Sequence, residues 1–275
     1  MPLLLQALVI GILQGLTEFL PVSSSAHLIV VPQFLGWKDP FLNSASFDVM
    51  LHAGTLIALL LYFWSDLLQL LAAWVASLRE QRIGADPDRR LAWLILVTML
   101  PGALLGVAFE SLFDMFFRDH IILVAVFLAL GAGILWLAEQ LAFLQRGLDD
   151  VTVRDAIVIG VAQAFALFPG FSRSGMTIAA GLYTGLPREA AARFSFLMGT
   201  PIIAGAAAWK ARELLQSGLP AADRLPLLAG MLGAAAAGLI AIAALLAYLR
   251  RNTTRPFIAE RLLLAGVVVV FVLAR

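Results

Sequence analysis

The sequence predicts an all-α integral membrane protein: six transmembrane helices plus two re-entrant helical hairpins, arranged as an inverted repeat. Composition sets the class. Hydrophobic residues make up 61% and charged residues 13% of the chain, with a mean hydropathy of +0.94. Soluble domains hold about half and about a quarter. Apolar runs of spanning length supply the helices. The third observation is a polar, helix-breaking insertion that occurs twice, 149 positions apart. Gly11-Ile12-Leu13-Gln14, followed by Phe19 and Ser23-Ser24-Ser25-Ala26, lies over Gly160-Val161-Ala162-Gln163, followed by Phe168 and Ser172-Arg173-Ser174-Gly175. Interrupted hydrophobic segments in matching positions of two halves point to a site near the midplane of a membrane protein.

In chain order, the run 3–35 is too long for one span, since about 33 helical residues reach about 50 Å. It must break near its serines. Spans of about 20 apolar residues are expected at 49–75, 91–108 and 121–138. The run 151–186 is again too long and breaks near Ser172, and three more spans follow at 194–209, 225–248 and 258–273. The charged stretch 79–90 is too short to be a soluble domain.

Basic residues decide whether the broken runs cross the membrane. With both runs re-entrant, one face carries Arg79, Arg82, Arg89, Arg90, Arg146, Arg154, Arg188, Arg193, Arg250, Arg251, Arg255 and Arg261. The other carries Lys38, Arg118, Lys210, Arg212, Arg224 and Arg275. That split of twelve to six falls to ten to eight if the second run crosses, so re-entrant hairpins are the better reading. Each half, 1–148 and 149–275, is then one hairpin plus three spans within a single membrane domain. An odd number of spans inverts the second half, so the hairpin tips meet from opposite faces. Irregular backbone at that depth must line a buried or water-filled cavity.

Met1 to Leu5 shows no basic residue and no small-residue cleavage pattern, and is expected to belong to the mature fold. The chain has no cysteine, which excludes disulfides, thiol catalysis and thiolate metal sites. A net charge of +1 gives no pointer to nucleic acid.

The polar residues of the two tips carry the candidate chemistry. Gln14 and Glu18, four apart, share a helix face, and an ionisable side chain at depth costs about 2.5 to 3.5 kcal/mol. Glu18 is therefore partnered or functional. Ser23 reads as an N-cap. Ser24 and His27, one turn apart, place a hydroxyl beside an imidazole, the arrangement that activates a serine nucleophile; a hydrogen-bonded core histidine is the simpler alternative. In the second tip, Arg173 sits in a glycine-bearing loop at a helix N-terminus, where amides and the helix dipole make an anion site. A guanidinium there suits phosphate oxygens, the lesser alternative being that Arg173 only neutralises Glu18. Glu18, Ser24, His27 and Arg173 are the candidate catalytic residues. Gln14, Ser23, Ser25, Gln163, Ser172, Ser174, Gly175 and Thr177 are the candidate phosphate-binding residues.

Asp48 and His52 could line the cavity mouth, though Asp48 equally reads as a helix cap. His120, beside Arg118 and Asp119, reads as solvated surface. Gly181, Gly185, Gly199 and Gly205 read as sites of close helix approach.

Glu18-Phe19-Leu20-Pro21-Val22-Ser23-Ser24-Ser25-Ala26-His27 together with Pro169-Gly170-Phe171-Ser172-Arg173-Ser174-Gly175 resembles the bacterial undecaprenyl-diphosphate phosphatases, also called bacitracin resistance proteins. Leu51-His52-Ala53-Gly54-Thr55 and Ala191-Ala192-Arg193-Phe194-Ser195-Phe196-Leu197 add to the likeness. The resemblance implies hydrolysis of undecaprenyl diphosphate to the monophosphate and inorganic phosphate, which recycles the carrier lipid for cell-wall synthesis. It also implies the bacterial cytoplasmic membrane, a site open to its outer face, and a divalent cation, Mg2+ or Ca2+, with Glu18 as a metal ligand. Partners are the polyprenyl diphosphate and membrane lipids, with a homodimer left open. Many members carry a glutamate where this chain has Gln14, which weakens schemes needing two carboxylate ligands.

The expected mechanism has Arg173 and the hairpin amides hold the terminal phosphate while Ser24, deprotonated by His27, attacks it. Glu18 positions the metal or orients His27. Direct attack by an activated water is the rival within the same enzyme class. A polyprenyl-phosphate flippase using the same inverted-repeat site is the alternative from another class. The phosphatidic-acid type of membrane phosphatase calls for Lys, then Arg-Pro seven residues on, whereas Lys38 and Lys210 are followed there by Ala45 and Ser217.

Overall fold

The computed structural model describes residues 1–274, apart from the side chains of 106–119; the side chains of Arg118 and Asp119, and Arg275, lie outside the described residues. Eleven α-helices and no strand occur among the described residues. They are α1 (Leu3–Phe19), α2 (Ser24–Leu35), α3 (Ala45–Tyr62), α4 (Trp64–Arg79), α5 (Pro87–Asp119), α6 (Ile121–Leu141), α7 (Val153–Ala164), α8 (Arg173–Tyr183), α9 (Arg188–Ser217), α10 (Ala221–Leu249) and α11 (Arg255–Leu273). Of these, α3, α6, α9, α10 and α11 are long and apolar enough to cross a membrane. Large apolar side chains such as Leu104, Leu232, Ile240, Leu263 and Val270 are exposed, a surface suited to lipid and not to water.

Both overlong runs break near their serines. α1 stops where Leu20 turns to an extended conformation (ψ 142°), because the following Pro21 disfavours the helical region for the residue before it. α2 restarts after Ser23, whose hydroxyl accepts from the Ala26 amide. In the second copy α7 tightens into a 3-10 turn at Phe165–Leu167, and α8 starts after Ser172, whose hydroxyl accepts from the Gly175 amide. Elsewhere, Asp86 caps α5 ahead of Pro87, and Thr152 with Asp155 forms a capping box on α7.

The span expected at 49–75 needs correction, since α3 and α4 are separate helices meeting at Phe63 (φ −102°, ψ 21°). Phe63 is fully buried, and the Arg193 guanidinium lies 5.4 Å from its ring while bonding Asp66 in the first turn of α4. Tertiary contacts thus pin a corner that apolar periodicity does not reveal. Arg261 also departs from its expected place: it is fully buried, not a charge at the membrane face. Among the four glycines read as close-approach sites, Gly205 instead faces open space, and Gly185, in a left-handed turn (φ 94°), is approached by the Phe143 ring, 2.2 Å from where a Cβ would lie. His120 is exposed between α5 and α6, as expected.

Packing interleaves the two halves. α1 lies along α10 and α7 lies along α5, while α6 pairs with α11 and α3 with α9. Gly11 and Gly160, 149 apart, each sit at such a crossing: a Cβ on Gly11 would come 2.0 Å from the Gly230 carbonyl oxygen, and one on Gly160 2.7 Å from that of Thr98. Helix ends are tied by buried ion pairs. Glu139 of α6 binds Arg188 of α9 with one oxygen and the Thr254 hydroxyl (2.8 Å), at the start of α11, with the other.

Gly11→Ala is expected to lower the thermal midpoint in detergent, with an overpacking cost of about 1–3 kcal/mol, because α1 must move off α10. Gly133→Ala, where a Cβ meets nothing within 4 Å, is expected to leave the midpoint unchanged or raise it.

Candidate active site

The two turns between α1 and α2 and between α7 and α8 touch. The Gly170 amide donates to Ser23 Oγ (3.2 Å), and the Ser174 hydroxyl donates to the Leu20 carbonyl (3.0 Å). Ser23 and Ser172, matched positions of the repeat, both take positive φ (77° and 67°), an uncommon state for a residue with a side chain. Each caps its helix, and each hydroxyl lies 3.2 Å from the serine two residues on, Ser25 or Ser174. The N-termini of α2 and α8 are therefore set side by side, and their first-turn amides and dipoles favour an anion.

Next after each capping serine comes the residue that differs, Ser24 in one copy and Arg173 in the other. Both reach Glu18. Ser24 Oγ donates to Glu18 Oε2 at 2.7 Å, and Arg173 Nη2 donates to Glu18 Oε1 at 2.7 Å. Gln14 Nε2 donates to Oε2 at 3.0 Å from the turn of α1 below. A charged pair inside the protein needs further hydrogen bonds to offset the loss of water, and Glu18 has them on both oxygens.

The histidine beside Glu18 is His52 of α3. Its Nε2 lies 3.2 Å from Glu18 Oε2, and its Nδ1 lies 2.8 Å from the Asp48 carbonyl, which orients the ring. His27, expected beside the Ser24 hydroxyl, instead has Nδ1 2.8 Å from the Ser23 carbonyl and Nε2 3.1 Å from Glu260 Oε1 of α11. His27 belongs to the first turn of α2, but its ring points along the helix back to the cap and across to α11. His52 is 30% exposed, against 5% for Glu18 and 15% for Arg173, so the centre opens along the α3 side.

The remaining candidates divide. Ser23, Ser172, Ser174 and Gly175 build the two turns. Thr177 donates to the Arg173 carbonyl (2.8 Å) and meets Ser195 Oγ of α9 (2.7 Å), fixing the first turn of α8. Gln163, the counterpart of Gln14, does not join Glu18: it bonds the Thr98 carbonyl of α5 at 3.2 Å. The position matching Glu18 in the second copy is Leu167, so a single acid serves both tips. Gly199 of α9 gives Arg173 its room, since a Cβ there would lie 1.8 Å from Nη1.

The donors around Glu18 do not fit a cation site built by the protein. No group of three or more His, Cys, Asp or Glu among the described residues could hold a metal ion. Glu18 has a guanidinium on Oε1, and Ser24, Gln14 and His52 on Oε2, whereas hard divalent cations take several oxygen ligands. The arrangement offers a hydroxyl held on a carboxylate, an imidazole on that same carboxylate, and a guanidinium between two helix N-termini. Those are the parts of a phosphoryl-transfer site.

Comparison with known proteins agrees. The family model described as bacitracin resistance protein BacA matches residues 7–267. An undecaprenyl-diphosphatase of Moorella thermoacetica is 47% identical over 265 residues, 96% of each chain. Those of Thermomicrobium roseum and Geobacter sulfurreducens are 45% and 44% identical, covering 97% and 99% of each chain.

Gly199→Ala is expected to push the guanidinium off its place while the fold survives, because the obstructing group is a movable side-chain end. Losing a hydrogen bond to a charged group costs about 1.5–3 kcal/mol, so the affinity for pyrophosphate, measured by calorimetry, should fall at least about tenfold, and the thermal midpoint should fall by less than it does when the guanidinium is removed outright.

Proposed function

The chain belongs to the family of bacitracin resistance protein BacA, and from that premise we infer that it is an integral membrane undecaprenyl-diphosphatase. It hydrolyses undecaprenyl diphosphate to undecaprenyl phosphate and inorganic phosphate. The setting we propose is the bacterial cytoplasmic membrane, with α1–α2 and α7–α8 as re-entrant hairpins of two inverted halves, 1–148 and 149–275, and the site open to the outer face. The reciprocal packing of α1 on α10 and α7 on α5 supports that reading.

One observation carries the mechanism: Ser24 and Arg173, matched residues of the two copies, hold opposite oxygens of Glu18. Arg173 and the first-turn amides of α2 and α8 bind the terminal phosphate. The Ser24 oxygen attacks its phosphorus while the hydroxyl proton passes along the existing 2.7 Å hydrogen bond to Glu18. The bond from that phosphorus to the bridging oxygen breaks, and the lipid monophosphate leaves. Water then attacks the phosphoserine, its protons staying with the phosphate; the bond from phosphorus to Ser24 Oγ breaks as that oxygen takes back the proton held by Glu18, and inorganic phosphate departs. His52, 3.2 Å from the same carboxylate oxygen, is placed to exchange the proton with solvent. Glu18 and His52 thus take the base role that sequence spacing gives to His27. A Mg2+ or Ca2+ ion, which the resemblance implies, would arrive with the diphosphate and offset part of its charge.

The test is phosphate release from a prenyl diphosphate in detergent, where transport of lipid registers nothing. Ser24→Ala and Arg173→Ala are expected to abolish release, and Glu18→Gln to lower kcat about 10²–10⁴-fold. Trapping labelled phosphate on wild-type protein but not on Ser24→Ala supports the serine route; a turnover-competent Ser24→Ala variant would refute it. His52→Asn is expected to slow kcat more than His27→Asn, and the reverse order would return the base role to His27.

A further inference from the structure

Arg261 lies two turns into α11 and is fully buried. Carrying a cation into an apolar interior is costly, so its hydrogen bonds must offset that cost. What the arginine binds explains its presence. All four of its acceptors are backbone carbonyls: Nη1 donates to Pro21 (3.3 Å), Nη2 to Gly170 (2.8 Å) and Phe171 (2.9 Å), and Nε to Leu128 of α6 (3.4 Å).

Pro21 and Gly170 are 149 apart, the same point of the two copies, each two residues before a capping serine. One planar fork therefore grips equivalent carbonyls of both turns. Two glycines leave it room: a Cβ on Gly131 would come 1.9 Å from Nη2, and one on Gly175 2.6 Å from Nη1.

We propose that Arg261 is a positioning residue for the hydrolysis: by holding the Pro21 and Gly170 carbonyls on one guanidinium it fixes the separation of the tips, and so the placement of Ser24 and Glu18 against Arg173. The proposal rests on the catalytic reading of those three residues. The fork geometry is what matters, not the charge alone, because a lysine ammonium is a point charge that cannot span the carbonyls in one plane. Misplacing reacting groups by about 1 Å costs about a hundredfold in rate.

The experiment compares Arg261→Lys, Arg261→Met and Gly131→Ala with wild type in detergent, measuring kcat, KM and thermal midpoint at a temperature where each variant is folded. Arg261→Lys keeps the charge, and Gly131→Ala keeps the arginine but displaces its fork. Both are expected to lose about a hundredfold in kcat with KM changed less than about threefold. Wild-type kcat in these two variants, or losses that only follow the folded fraction, would overturn the positioning role. If they turn over normally while Ser24→Ala and Arg173→Ala do not, the catalytic reading stands and this proposal alone falls. A turnover-competent Ser24→Ala would remove the reading beneath it, and the proposal with it.

Discussion

The contact between Glu18 and Arg173, 155 residues apart in sequence, joins the two tips, and the site depends on it. Neither group is stable alone in this interior, because a buried ion without a partner costs several kcal/mol. Each therefore requires the other tip to be present and correctly placed. Gln14 and Ser24 satisfy the carboxylate further, Gly199 accommodates the guanidinium, and Thr177 steadies the helix that carries it. Chemistry and assembly of the halves are in this way one problem.

Repetition of one motif builds such a site from simple parts. Each copy supplies an apolar helix, a turn with a serine at positive φ, and a helix N-terminus, and these repeat down to the pairs Ser23–Ser25 and Ser172–Ser174. The copies then diverge at the residue after the cap, hydroxyl in one and guanidinium in the other. Only one keeps the acid, the second having Leu167. A two-fold scaffold thereby yields an asymmetric centre, with hydroxyl and carboxylate on one tip and the guanidinium on the other.

Much of this is legible in sequence because it is local. The overlong runs 3–35 and 151–186 had to break, and the breaks fall at the serines. Glu18, Ser24 and Arg173 were singled out because polar groups in apolar runs require an account, and the structure brings them within hydrogen-bond distance. What sequence spacing missed involves rotation about a helix axis or distant partners. Ser24 and His27 are one turn apart, yet their side chains leave the helix toward different neighbours, Glu18 and Glu260. His52 enters from α3, and nothing local distinguishes it from a residue at the cavity mouth. Arg261 looked like an arginine at the membrane face because α11 begins only six residues earlier, and the carbonyls it binds lie in other parts of the chain. Phe63 divides an apolar run through the cation of Arg193, a contact that hydropathy cannot show.

The most direct measure of the contact between the tips is a double-mutant cycle on thermal stability, with Glu18→Gln, Arg173→Met and the pair together. Removing one member of a buried ion pair leaves the other uncompensated, at about 3–5 kcal/mol. Each single variant should melt well below wild type, and the double variant should melt above the less stable single variant. Additive losses, with the double variant lowest of all, would mean that the two side chains do not meet.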